Sequence, residues 1–212
     1  MKKKQILLIG GGGHCKSCIE VIESANEFDI AGIIDLKSKI GKKILGYRFI
    51  ACDDDLEKLK DQYDYALITV GHIKTANLRK RLFNMVKNIG FKIPVIISST
   101  AYVSKHSKIG QGTVIMHKAM VNADVVIGKN NIINTKALIE HDTIIADNSH
   151  ISTNTILNGN VKVGSNCFVG SSTVLVNGIS INDNITVGMK SLVRESLIEE
   201  GTYVGNPLRK IK

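Results

Sequence analysis

From Val103 to Val193 every sixth residue is Val, Ile or Leu, a run of sixteen positions in one phase. Chance gives such a run odds of order 10^-8. A beat of six fits neither a helix stripe nor an ordinary amphipathic strand, and it predicts a parallel β-helix built from hexapeptides. Six residues build a short strand and a tight corner. Three such units close a triangular coil of about eighteen residues, so the run makes about five coils stacked on one aliphatic core. Small residues four places after the aliphatics, such as Thr113, Ala119, Thr143, Ser149 and Cys167, are expected to point inward too. The residue directly after each aliphatic is often Gly or Asn, as at Gly110, Asn122 and Gly128, and is expected to form the corner.

The first hundred residues follow another rule. Strands are predicted at Gln5–Ile9, Ile30–Ile34, Tyr65–Val70 and Ile93–Ile97. Helices are predicted from the glycine loop to about Glu27, over Asp53–Gln62, and over Thr75–Asn88 with Gly90 as the stop. This alternation implies a small parallel sheet covered by helices. Two domains are expected, 1–98 and 99–212, with a tail from Arg194 that leaves the repeat.

Composition narrows the function classes. The net charge of +9 suits a phosphate-rich ligand, but the lysines are scattered and Trp is absent, which argues against a nucleic-acid partner. No apolar run is long enough for membrane insertion, and the charged start runs straight into a glycine loop, so a cytoplasmic protein is expected. Cys15 and Cys18 have metal or redox spacing, yet they lack a second ligand pair and fall inside the first helix. Ordinary reduced cysteines and no metal are expected.

Three places can carry chemistry. The loop Gly10-Gly-Gly-Gly13-His14, opening a helix after a strand, offers backbone N–H groups to a phosphate; it matches the dinucleotide fingerprint at Gly10 and Gly12, with Cys15 in place of the third glycine. Asp35 ends the second strand, where an acid can accept a ribose hydroxyl or simply cap a turn. His141 stands between Glu140 and Asp142 two places after an inward aliphatic, so it projects from the coil with a carboxylate to raise its basicity, as a general base requires. His150 also points out, half a coil further on, hence on another face; the two could share a site only where β-helices pack side by side. His72, His106 and His117 lack such a setting.

These motifs, with Val70-Gly71, Ser149-His150, Gly159-Asn160-Val161 and Gly205-Asn206-Pro207, resemble the sialic acid O-acetyltransferase-like family, whose best-known branch N-acetylates nucleotide-linked 4-amino sugars. The resemblance spans the chain. It implies an α/β N-terminal Rossmann-like domain followed by a C-terminal left-handed parallel β-helix, and an acetyl-CoA-dependent homotrimer with sites between subunits. It further implies His141 as base supported by Asp142, and Gly12, Gly13, His14, Asp35 and Gly71 as the nucleotide-sugar site. His150, Gly159, Ser171 and Met189 would face acetyl-CoA, His150 reaching in from the adjacent subunit. Many relatives carry Glu at the position of Asp142, and some carry Gly at that of Met189. The acceptor is expected to be a UDP- or GDP-linked amino sugar of bacterial surface glycans or glycoproteins. O-acetylation of a sialic or other nonulosonic acid is the alternative, and a non-catalytic nucleotide-binding trimeric scaffold a further one.

Overall fold

The computed structural model describes residues 3–212. Its N-terminal part contains β1 (Lys4–Ile9), α1 (Gly13–Ala25), β2 (Phe28–Ile34), β3 (Lys43–Ile44), β4 (Tyr47–Ala51), α2 (Leu56–Lys60), β5 (Tyr65–Ile68) and α3 (Asn77–Ile89). The sheet order is β3-β4-β2-β1-β5, parallel except for the β3–β4 hairpin. That hairpin goes beyond the sequence expectation: its apolar residues come in short runs, Ile44-Leu45 and Phe49-Ile50-Ala51, broken by Gly46 and Arg48. The expected helix at Asp53 begins as a single 3-10 turn and becomes α-helical only at Leu56. Ile96–Ile97 pair with Val114–Ile115 of the β-helix rather than with β5, so the strand expected there belongs to the second domain.

The β-helix has three parallel faces. The first runs through Val114–Ile115, Ile132–Ile133, His150–Ile151 and Phe168–Val169; the second through Met120–Val121, Leu138–Ile139 and Ile156–Leu157; the third through Val126–Ile127, Ile144–Ile145 and Lys162–Val163. Strands pair with a shift of eighteen residues, as His150 with Ile132 and Phe168 shows. The aliphatics of the repeat form one buried column, and Thr113, Thr143, Ser149, Thr155 and Thr173 join it as expected. Each of these hydroxyls donates to a carbonyl of the next coil, which makes a polar residue acceptable inside.

The corners differ from the expectation. From Lys118 to Lys190 every sixth residue adopts the left-handed conformation, three places after the aliphatic rather than one, Asp142 among them at φ 60°. Asn and Asp tolerate that region better than other side chains, which explains the asparagines there. The glycines directly after the aliphatics answer to crowding instead: a Cβ on Gly110 would lie 2.5 Å from the backbone carbon of Gly128. The tail also stays attached, since Gly201–Val204 extend the first face beside Ile185–Val187.

The two domains are welded through α1. Cys15, Ile19 and Ile22 pack between β1 and the first face, against Val114 and Met116, while α3 covers the other side of the sheet with Leu82, Phe83 and Val86. The carboxyl ends of the parallel strands, where α/β sheets bind ligands, thereby open toward the first face of the β-helix.

Candidate active site

A cleft of about 860 Å³ lies at those strand ends, lined by the glycine loop, by the segments after β2, β4 and β5, by the start of α3, and by His150 from the β-helix. The four loop glycines divide by physical cause. Gly10 has φ +100°, and a Cβ there would meet Val70 at 2.2 Å; one on Gly11 would meet Phe49 at 2.2 Å. These two are required by the fold. Gly12 and Gly13 face open space, and Gly12 caps α1 without any side-chain partner, leaving the first N–H groups of the helix turned toward the cleft. Lys39, Lys74 and Arg81 add positive charge to the walls. The cleft therefore fits a phosphate-bearing ligand.

Asp35 closes this loop from below. Its carboxylate accepts from Gly11 N at 2.6 Å, Leu36 N at 2.7 Å and Lys39 Nζ at 2.8 Å. Burial pushes its pKa up, but the hydrogen bonds from Lys39, Leu36 and Gly11 together outweigh that, and the carboxyl titrates below its ordinary value. It holds the loop in shape at least as much as it faces the cleft.

The inner end of the cleft holds three histidines. His150 leaves the β-helix as expected but is only 7% exposed, because its own chain's N-terminal domain covers it. Its Nδ1 donates to the His72 carbonyl at 2.8 Å, which leaves Nε2 to accept from the Asn134 amide at 3.0 Å. His72 and His14 ring centroids lie 5.6 Å and 6.4 Å from it. Burial lowers the pKa of His72 and of His150 to about 4 and that of His14 to about 3, and the charge of Arg79 pushes the same way. All three are neutral at physiological pH.

Arg79 is fully buried. Its guanidinium donates to Ile68 O and Val70 O at 2.8 Å, and reaches across to Asn130 O at 3.1 Å and Gly112 O at 3.4 Å in the β-helix. Four carbonyls from two domains thus share one cation, and the segment bearing Gly71 and His72 is pinned to the first face.

His141 stands elsewhere. It occupies the corner between the second and third faces, with its side chain 62% exposed. Its Nδ1 donates to Asp142 Oδ2 at 2.7 Å, so Nε2 carries the lone pair and has no hydrogen-bond partner among the described residues. The hydrogen bond to Asp142, shorter than Glu though it is, raises the imidazole pKa. Glu140 turns away to accept from Asn122 at 2.8 Å. The imidazole lies over Gly159, where a Cβ would stand 2.7 Å from Cε1 and 2.8 Å from Nε2. Such an arrangement can remove a proton from an incoming nucleophile.

Comparisons with known proteins agree with this plan. Residues 5–86 match the PglD N-terminal domain, and residues 106–141 match the bacterial transferase hexapeptide, six repeats. A histidine-to-asparagine variant of perosamine N-acetyltransferase from Caulobacter crescentus, in complex with CoA and GDP-perosamine, is 28% identical with a TM-score of 0.92 over 98% of this chain and 97% of that one. The acetyltransferase domain of PglB from Neisseria gonorrhoeae, in complex with acetyl coenzyme A, is 26% identical with a TM-score of 0.90 over 99% of this chain and all of that one. A comparison with curated proteins returns no match. The chain is a hexapeptide-repeat acetyltransferase.

In this acetyltransferase, the residues singled out from sequence fall into three groups. Gly12, Gly13, His14, Asp35, Gly71 and His150 come together at one cleft, whereas His141, Asp142 and Gly159 form a second cluster on another side of the prism. Ser171 and Met189 lie one coil apart on a third line, the corner between the first and second faces; Ser171 Oγ is 2.9 Å from Ser152 Oγ, and Met189 is 73% exposed. Sequence reasoning missed His72 and Arg79. His72 follows Val70-Gly71 at the carboxyl end of a parallel strand, which is itself a ligand signal. Arg79 shares the apolar stripe of α3 with Leu82, Phe83 and Val86, a position where a cation calls for a buried partner. Cys15 and Cys18 are buried in α1, and burial pushes the Cys18 thiol up to about 12. Among the described residues no group of three or more His, Cys, Asp or Glu could hold a metal ion, and no helix is long and apolar enough to cross a membrane.

Proposed function

We propose that the protein transfers the acetyl group of acetyl-CoA to the amino group of a UDP- or GDP-linked 4-amino-deoxy sugar, in the cytoplasm, for bacterial surface glycans or glycoproteins. The observation that carries this reading is the exposed His141 with Nδ1 committed to Asp142 and Nε2 free. In this mechanism Nε2 takes the proton of the amine as its nitrogen attacks the thioester carbonyl. Asp142 fixes the tautomer and stabilises the imidazolium that forms. The transfer is direct, without a covalent enzyme intermediate, and CoA leaves as the thiol.

The acceptor is held by the cleft: N–H groups at Gly12 and Gly13 and the cations on its walls meet the diphosphate, while His14, Gly71 and His150 surround the sugar end. Cleft and base lie on different sides of one chain. The reading therefore places the cleft of one subunit against His141 of the next, in a homotrimer, with His150 beside the thioester and Gly159, Ser171 and Met189 along the acetyl-CoA channel. Support for association comes from the second face. Its outward column is Tyr102, Met120, Leu138, Ile156, Val174 and Leu192, apolar throughout, and the chain's own N-terminal domain covers the first face instead.

The test is His141→Ala, assayed with acetyl-CoA and a panel of UDP-, GDP- and CMP-linked sugars. The variant should lose turnover by orders of magnitude and keep its trimeric elution. Wild-type turnover in the variant overturns the mechanism. A product labile to mild alkali would mark an ester and overturn N-acetylation.

A further inference from the structure

The cleft has a second end that the proposed chemistry does not use. Asp53, just after β4, lines it half-buried, and among the described residues its carboxylate has no hydrogen bond and no ion pair. Its acidic neighbours are otherwise engaged: Asp55 accepts from Cys52 N at 3.0 Å, and Asp54 lies outside the cleft. Arg81, on α3, lines the same cleft and its charge bears on Asp53, yet the two form no salt bridge. Leu36 and Leu78 also line the cleft and are 67% and 47% exposed, large apolar side chains left open to water.

Position limits what can reach this end. β4 is two strands from β1, a lateral step of about 10 Å at ordinary strand spacing. A diphosphate at Gly12 and Gly13 therefore leaves the nucleoside to the part of the cleft that Leu36, Leu78, Asp53 and Arg81 line. A carboxylate without a donor of its own in an anion-binding cleft repels phosphate and calls for donors on the ligand. The ribose diol could supply them, but the two exposed leucines on the wall favour the apolar face of a flat ring over a polyol.

Only one common base has two N–H donors side by side. Guanine presents N1–H and the 2-amino group, which a carboxylate accepts as a pair, next to O6 and N7, which suit an arginine. Uracil has a single N–H between two carbonyls, and the carbonyls meet a carboxylate unfavourably. Adenine and cytosine set one amino group beside a ring lone pair. On the nucleotide-sugar reading, we infer that Asp53 and Arg81 form a guanine-selective subsite, so that the acceptor is a GDP-linked rather than a UDP-linked amino sugar.

Calorimetric titration of the full chain with GDP, IDP and UDP tests this, in the wild type and in Asp53→Asn. The wild type should bind GDP at least about tenfold more tightly than UDP, and about tenfold more tightly than IDP, which lacks only the 2-amino group. Asp53→Asn should weaken GDP about tenfold or more, bring GDP and IDP close to equal, and leave UDP within about threefold. An unchanged thermal midpoint is expected, because the carboxylate holds nothing inside the fold. UDP binding as well as GDP, or GDP affinity unmoved by the substitution, overturns the subsite while the nucleotide-sugar reading stands. Binding of acetyl-CoA with no nucleotide binding at all overturns both.

Discussion

The imidazole of His141 rests on the bare Cα of Gly159, eighteen residues on and one coil below; a side chain there would overlap Cε1 and Nε2. The ring is exposed and can swing aside, so Gly159→Ala should change stability by no more than about 0.5 kcal/mol. It should still turn the imidazole away from Asp142 and lower kcat about tenfold or more. Loss of the His141 Nδ1 bond, seen by NMR as a drop in imidazole pKa, is the readout that separates displacement of the base from any other role of residue 159.

The Asp142 bond raises the pKa of His141, so Asp142→Asn should lower it. A general base works only when unprotonated, and rate falls on the acid side of its pKa. The acid limb of the kcat/KM profile should thus move to lower pH in the variant, while the plateau falls because the amide no longer favours the Nε2 lone-pair tautomer. An acid limb that stays in place would remove Asp142 from the proton pathway.

His72 and His150 are neutral in the fold with pKa values of about 4, below the ordinary 6.5. The unfolded chain therefore binds more protons between those values, and stability is full above about pH 6.5 and lost as pH falls toward 4. At pH 5 each contributes a loss of roughly 2 kcal/mol. Denaturant midpoints between pH 7.5 and 5 should fall in the wild type, and should fall less in His150→Phe.

Arg79 satisfies four carbonyls across the domain boundary. Arg79→Met strands those acceptors and should destabilise by about 3 kcal/mol. Since the pinned segment carries Gly71 and His72, KM for the nucleotide sugar should rise more than KM for acetyl-CoA. Steady-state kinetics at a temperature where the variant is folded checks the split.

The apolar column of the second face is left half-buried or exposed among the described residues. If the proposed trimer forms through this face, Leu138→Lys, which places a charge in its middle, should shift gel-filtration elution from trimer to monomer without changing the far-UV spectrum. Turnover should be lost with the trimer, because cleft and base lie on different sides of one chain.

How much of this was legible in the sequence follows from locality. A coil repeats every eighteen residues, so the six-residue beat alone sorted core from surface, made His141 project from the coil beside Asp142, and put His150 on another face. Glycine runs and strand-end positions marked the cleft for the same reason: backbone geometry is local. What the tertiary structure decided depends on contacts between distant segments. That His150 is buried beneath His72, that Arg79 is the cation between the domains, that Asp35 is occupied by the loop it follows while Asp53 is left open, and that Gly159 is the floor under the imidazole all come from packing one domain or one coil against another. No spacing along the chain encodes those distances, because the energy that sets them is burial and hydrogen bonding across the boundary rather than the preference of any single residue.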